Sequence, residues 1–145
     1  MDKIALDFLE ITRRINQIQL PAVDHVIGIA TGGIVPASLL AYRLGCSLSL
    51  VEINYRAADN SPQRPAPQLL QPFSLAAPLK RVLLVDDVSV SGQTLETAKS
   101  LLTGVEVITF VLKGKADLVV FPEIGACVAW PWKPDPAGTS RQPGS

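Results

Sequence analysis

Residues 82–94 read VLLVDDVSVSGQT. Four apolar residues, Val82 to Val85, run directly into Asp86 and Asp87, and then into a loop of hydroxyls, one glycine and a glutamine. The apolar run reads as a buried strand, and the residues from Ser91 onward read as the opening of a helix. Two adjacent carboxylates at the carboxyl end of a strand repel each other. That cost is typically offset by a metal ion or by ligand hydroxyls. The loop Ser89-Val90-Ser91-Gly92-Gln93-Thr94 offers backbone N–H groups, hydroxyl donors, a glycine that permits close approach and a positive helix end, a combination suited to a phosphate. An isolated acid pair is more often a βα turn with two solvated aspartates. The full thirteen-residue pattern outweighs that plainer reading.

Working outward, the same alternation of strand and helix recurs. Toward the N-terminus, Ile4, Phe8, Ile11, Ile15 and Ile18 repeat every three or four residues, with Arg13, Arg14 and Gln17 on the other side, which predicts an amphipathic helix ending near Pro21. HVIGIA (25–30) reads as a strand, TGGIVP as a turn, ASLLAYRLG as an apolar helix closed by Gly45, and CSLSLVEI (46–53) as a further strand. From Asn54 to Pro78 the chain turns polar and carries five prolines, which no packed helix tolerates. A loop of that length is functional or disordered as a rule. Beyond the opening stretch come a helix to about residue 102, the strand VEVITFVL and two short apolar pieces, LVVF and ACVAW. Strands alternating with helices imply a parallel sheet covered by helices, with ligands beyond the carboxyl ends of the strands.

The 145 residues, 48% hydrophobic, suffice for one core, expected over residues 1–132, with 133–145 a Pro/Gly/Ser-rich tail that adds nothing to it. Thirteen basic and thirteen acidic side chains cancel, which argues against a nucleic-acid or membrane surface. No apolar run reaches the roughly 18 residues of a membrane span, and the acidic, amphipathic start MDKIALDFLE is unlike a signal peptide. Cys46 and Cys127 are far apart and form no CxxC pattern, so they read as reduced core thiols of a cytoplasmic domain.

Neither GxxxxGK[ST] nor GxGxxG occurs, which removes the P-loop and dinucleotide-binding readings. A response-regulator receiver would place RVLLVDD on its first strand, and too little chain follows Asp87 for that fold. The stretch instead resembles the phosphoribosyl-pyrophosphate (PRPP) binding motif of type I phosphoribosyltransferases. That motif has four apolar residues, two acids and a loop of the form [TS]-G-x-T, here Ser91-Gly92-Gln93-Thr94. The resemblance implies a Rossmann-like α/β fold with a central parallel sheet, flanking helices and a small hood. It implies that Asp86 and Asp87 hold the ribose hydroxyls and Mg²⁺, and that Ser89, Val90, Ser91, Gly92, Gln93 and Thr94 wrap the 5′-phosphate.

Other segments fit the same resemblance. GIATGGIVPASLLAYRLG (28–45) is similar to the family's pyrophosphate loop and its helix, so the amides of Thr31, Gly32 and Gly33 are expected against the pyrophosphate. Many relatives carry Arg or Lys where Thr31 stands. Residues 54–71 fall where the family has a flexible catalytic loop, with Tyr55, Arg56 and Arg64 as candidates to reach the ligand. Lys113 matches the lysine that purine-type relatives place on the exocyclic oxygen of a 6-oxopurine. ACVAWPW resembles the closing segment of bacterial xanthine–guanine-type enzymes, which puts Cys127 in the base-stacking position and Val128 beside it with backbone groups for the base. Trp130 and Trp132 then read as hood packing.

The resemblance implies transfer of ribose 5-phosphate from PRPP to a nucleobase, purine-type in the first instance, in purine salvage by a homodimer. A sensor of PRPP or of a nucleotide, built on the same fold without turnover, is the alternative. One departure bears on the choice. The 6-oxopurine enzymes place an aspartate general base where this chain has Val90, and valine cannot accept a proton.

Overall fold

The computed structural model describes residues 4–54, 68–69 and 80–133. In chain order the elements are β1 (Ile4–Ala5), α1 (Phe8–Gln17), β2 (His25–Ala30), α2 (Ile34–Leu44), β3 (Ser47–Asn54), β4 (Gln68–Leu69), β5 (Arg81–Ser89), α3 (Gln93–Ser100), β6 (Glu106–Gly114), β7 (Leu118–Val119) and β8 (Val128–Ala129). Six strands form one sheet in the order β4-β3-β2-β5-β6-β7. Every pairing in it is parallel except that of β4 on the edge of β3.

The near-continuous apolar runs of β2, β5 and β6 follow from burial on both faces. On one face Ile11 and Ile15 of α1 and Ala37 and Leu40 of α2 pack over Leu83, Val85, Phe110 and Leu112. On the other, Leu95 and Ala98 of α3 pack over Ile27, Ile29, Leu84 and Val111. The chain steps outward from β2 to β3, returns to β5 beside β2, and then steps the opposite way through β6 to β7. The order therefore reverses between β2 and β5, which makes their carboxyl ends the crevice where open α/β sheets hold ligands.

Local chemistry sets the helix ends. Asp7 is extended and its Oδ1 accepts the Glu10 N–H at 2.7 Å, capping α1. Gly45 takes the left-handed conformation, φ 68°, and closes α2 through its N–H to Ala41 O. Pro36 lies in the first turn of α2, where its missing N–H costs nothing.

The structure departs from the sequence reading in several places. The first helix does not begin at Ile4. Ile4 and Ala5 are extended and pair in parallel with Val128 and Ala129, so β1 and β8 make a separate two-stranded ribbon, the hood. β5 does not stop at its acids, because the ladder with β6 continues through Val88↔Lys113 and Ser89↔Gly114. Cys127 is not a core thiol. It is exposed, because it leads into the outlying ribbon, whereas Cys46 is half-buried and its thiol is pushed up by that burial. Among the described residues no helix is long and apolar enough to cross a membrane.

Candidate functional site

The turn after β2 lies directly on the acids of β5. A methyl group on Gly32 would overlap the Asp87 carboxylate, and one on Gly33 would come within 2.5 Å of Val85 O and 2.7 Å of Ile29 O. Only glycine lets the two strand ends approach this closely. Ala30 and Thr31 are joined by a cis peptide bond. Thr31 is exposed while Gly32 and Gly33 are buried. The Gly33 N–H is engaged by Ile29 O at 2.7 Å. The expectation that all three amides of Thr31, Gly32 and Gly33 face an anion is therefore corrected for Gly33, whose donor closes the turn itself.

Asp86 and Asp87 project to opposite faces of β5, as strand alternation requires. Asp86 Oδ1 accepts the Asp87 N–H at 2.8 Å, and Asp87 Oδ1 accepts the Val88 N–H at 2.7 Å. Burial, reinforced by the neighbouring charge of Asp87, pushes the Asp86 carboxyl up to about 8. Asp87 is buried; among the described residues its Oδ2 accepts no aligned hydrogen bond and has the Lys133 ammonium as its close partner, Nζ to Oδ2 2.7 Å. A buried carboxylate whose outer oxygen meets an ammonium suits a cation.

No group of three His, Cys, Asp or Glu side chains converges among the described residues. A carboxylate at this strand end fits a hard cation that keeps its remaining positions for water and phosphate oxygens, the usual arrangement for Mg²⁺ at phosphate-bearing substrates.

The loop that follows is only partly presented to solvent. Val90 and Ser91 are exposed, and Gly92 (φ 84°) turns the chain into α3. Ser91 Oγ accepts the Gln93 N–H at 3.2 Å, as an N-terminal side-chain acceptor does. Ser89 is buried, its hydroxyl has no partner among the described residues, and its carbonyl accepts the Lys115 N–H at 2.8 Å. A side chain on Gly114 would collide with the Ser89 backbone, so Gly114 (φ 115°) fixes how closely β6 supports the loop. Beside the loop, on the α3 face, a cleft of about 290 Å³ is bordered by Ser91, Gly92, Lys99, Thr109 and Lys115.

Lys113 is half-buried within β6 and in register with Val88 of β5, one residue beyond Asp87. Val128 is paired with Ile4, and Cys127 O is taken by the Ile4 N–H at 2.8 Å. Trp130 is buried and stacks on Trp132, ring centroids 5.6 Å apart and planes 7° from parallel, and the buried Trp132 indole N–H has no partner among the described residues. These rings pack the hood, as expected. Gln93 and Thr94 open α3. Tyr55, Arg56 and Arg64 lie outside the described residues. Sequence reasoning missed Lys133, which it assigned to an inert tail. A lysine after a Pro-Trp pair carries no local signal for a carboxylate that only the fold brings near.

A family model described as a phosphoribosyl transferase domain matches residues 8–135. Among solved structures, the chain is similar to a purine phosphoribosyltransferase from Pyrococcus horikoshii OT3, at 28% identity and a TM-score of 0.75 over 94% of this chain and 97% of that one. It is also similar to a Neisseria gonorrhoeae hypothetical protein with bound ppGpp, at 26% identity and a TM-score of 0.66 over 92% of each chain. A Helicobacter pylori xanthine-guanine-hypoxanthine phosphoribosyltransferase shares the fold at 18% identity and a TM-score of 0.65, over 90% of this chain and 94% of that one. No curated protein matches the chain in sequence.

Proposed function

The chain belongs to the phosphoribosyltransferase family, and from that premise we propose that it transfers ribose 5-phosphate from PRPP to a purine-type nucleobase, releasing pyrophosphate. The observation that carries the proposal is the seating of the Gly32–Gly33 turn on Asp87 where the strand order reverses. It joins an acid pair, a close-approach turn and a phosphate-type loop in one crevice. The purine assignment draws support from the Pyrococcus neighbour, itself named a purine phosphoribosyltransferase.

In this reading Asp86 and Asp87 bind the ribose hydroxyls and hold Mg²⁺, which supplies positive charge to the departing pyrophosphate. The residues from Ser89 to Thr94 wrap the 5′-phosphate, with the amino end of α3 behind them. Breaking the C1′–O bond leaves an oxocarbenium-like sugar and places negative charge on the leaving group. The free amides of the turn after β2 stabilise that charge, and such fixed dipoles are commonly the largest catalytic contribution. Lys113 and the backbone at Val128 orient the base, while Tyr55, Arg56 and Arg64 belong to a segment that closes over the ligand. Few of these groups move a proton, so positioning dominates the rate. The active form is a cytoplasmic homodimer.

The test is pyrophosphate release from PRPP and Mg²⁺ across a panel of bases. Turnover that disappears in Asp86→Asn/Asp87→Asn, with a cooperative melt retained, supports transfer. A second reading, a nucleotide sensor without turnover, is favoured by the ppGpp-bound neighbour and by valine at position 90. Tight PRPP or guanosine nucleotide binding with no pyrophosphate released by any base selects that reading.

A further inference from the structure

The geometry points to Lys133 as a tethered counter-ion that occupies Asp87 of the acid pair in the free protein and is displaced by the cation arriving with substrate. The inference rests on the proposed role of Asp86 and Asp87. Asp87 is nearly withdrawn from water, with its side chain 7% exposed, and its Oδ2 has the Lys133 ammonium 2.7 Å away. A carboxylate so placed without a cation is strongly unfavourable, since removing one member of a buried pair leaves a charge in low dielectric.

The lysine itself is not locked in place. Its side chain is 43% exposed, and an ammonium on a flexible four-carbon stem can leave a site without backbone movement. Lys133 follows Trp132 directly, and its N–H is held by Trp130 O at 3.2 Å. The charge is therefore delivered to the acids by the segment that carries the stacked indoles. Asp86 projects to the other face of β5, and among the described residues the ammonium pairs with Asp87. One ammonium thus satisfies half of the pair. A divalent ion brings twice the charge to Asp87 and carries substrate oxygens with it, so it outcompetes the ammonium and frees Lys133; occupation of Asp87 and release of the residue behind the indoles are one event.

The experiment measures binding of Mg²⁺ alone, and of Mg²⁺ with PRPP, by calorimetry on the full chain. Lys133→Gln keeps a polar side chain and removes the charge, and Lys133→Arg keeps the charge. With the internal competitor gone, Lys133→Gln binds more tightly, on the order of tenfold, equivalent to about 1.4 kcal/mol. Lys133→Arg stays within about twofold of wild type. Melting without ligand checks that each variant folds, and Lys133→Gln melts below wild type near pH 8 because Asp87 is left uncompensated. Equal or weaker binding by Lys133→Gln, with wild type binding normally, overturns the inference and leaves the site reading intact. No binding by any of the three proteins overturns the site reading and this inference together.

Discussion

At the scale of single residues, the acid pair trades stability for binding. The folded Asp86 carboxyl keeps its proton to about pH 8, whereas in the unfolded chain it releases it near the usual carboxylate value. Between those points the folded state binds more protons, so this group's contribution is complete below about pH 4 and is lost as pH climbs through about 8. Asp86→Asn should therefore flatten the decline in melting temperature between about pH 4 and 8, measured with a chelator present, and should melt above wild type at the alkaline end. The same change should abolish Mg²⁺-dependent PRPP binding. Val90 makes the opposite case, a position where adding a charge adds function. It is exposed beside the loop, so an aspartate there meets no desolvation cost. General-base assistance is typically worth 10²- to 10⁴-fold. Val90→Asp should raise turnover on hypoxanthine or guanine by a factor in that range, read as pyrophosphate release. Unchanged rates on both bases would show that proton removal does not limit the reaction.

Secondary-structure elements were legible where one periodicity ruled. HVIGIA is β2 to the residue and Gly45 closes α2, because a doubly buried strand and a left-handed cap are both written locally. The N-terminal segment misled because Ile4 and Phe8 keep helical spacing across a real boundary. Asp7 settles that boundary by capping α1, and Phe8 consequently stays half-exposed at the first turn. Asp7→Ala should cost about 1 kcal/mol, the usual worth of such a cap, seen as a lower denaturant midpoint with an unchanged slope. The acids of β5 were found, but their strand was cut short. An isolated chain segment cannot show that β6 continues pairing through Gly114. Lys133 was missed for the same reason, since its partner is brought to it only by the fold. The donors of the turn after β2 were over-counted, because the loss of the Gly33 N–H to Ile29 O depends on turn geometry and not on composition.

At the scale of the whole molecule, the sheet and the hood depend on different contacts. The sheet is covered by α1, α2 and α3, while the hood is fastened by the short parallel pairing of β1 with β8 and by Trp130 in the core. Arg14 adds a further tie: it pairs with Glu123 at 2.8 Å, donates to Val120 O, and lies 4.5 Å over the Phe121 ring. Removing residues 1–5 should leave the far-UV spectrum of the sheet unchanged and shift tryptophan emission to the red. The chain's two tryptophans both lie in that stack, so the emission reports on it alone. The β1–β8 pairing also has a consequence for how the protein is made. Its partners are about 120 residues apart in sequence, with every strand of the main sheet between them. Closing so long a loop carries an entropic cost that nearby contacts avoid, and pairings of this range form late. The sheet from β2 to β6 can assemble on the nascent chain while β1 waits exposed for its partner. The hood, and with it the Lys133 contact to Asp87, is then completed only after the sheet.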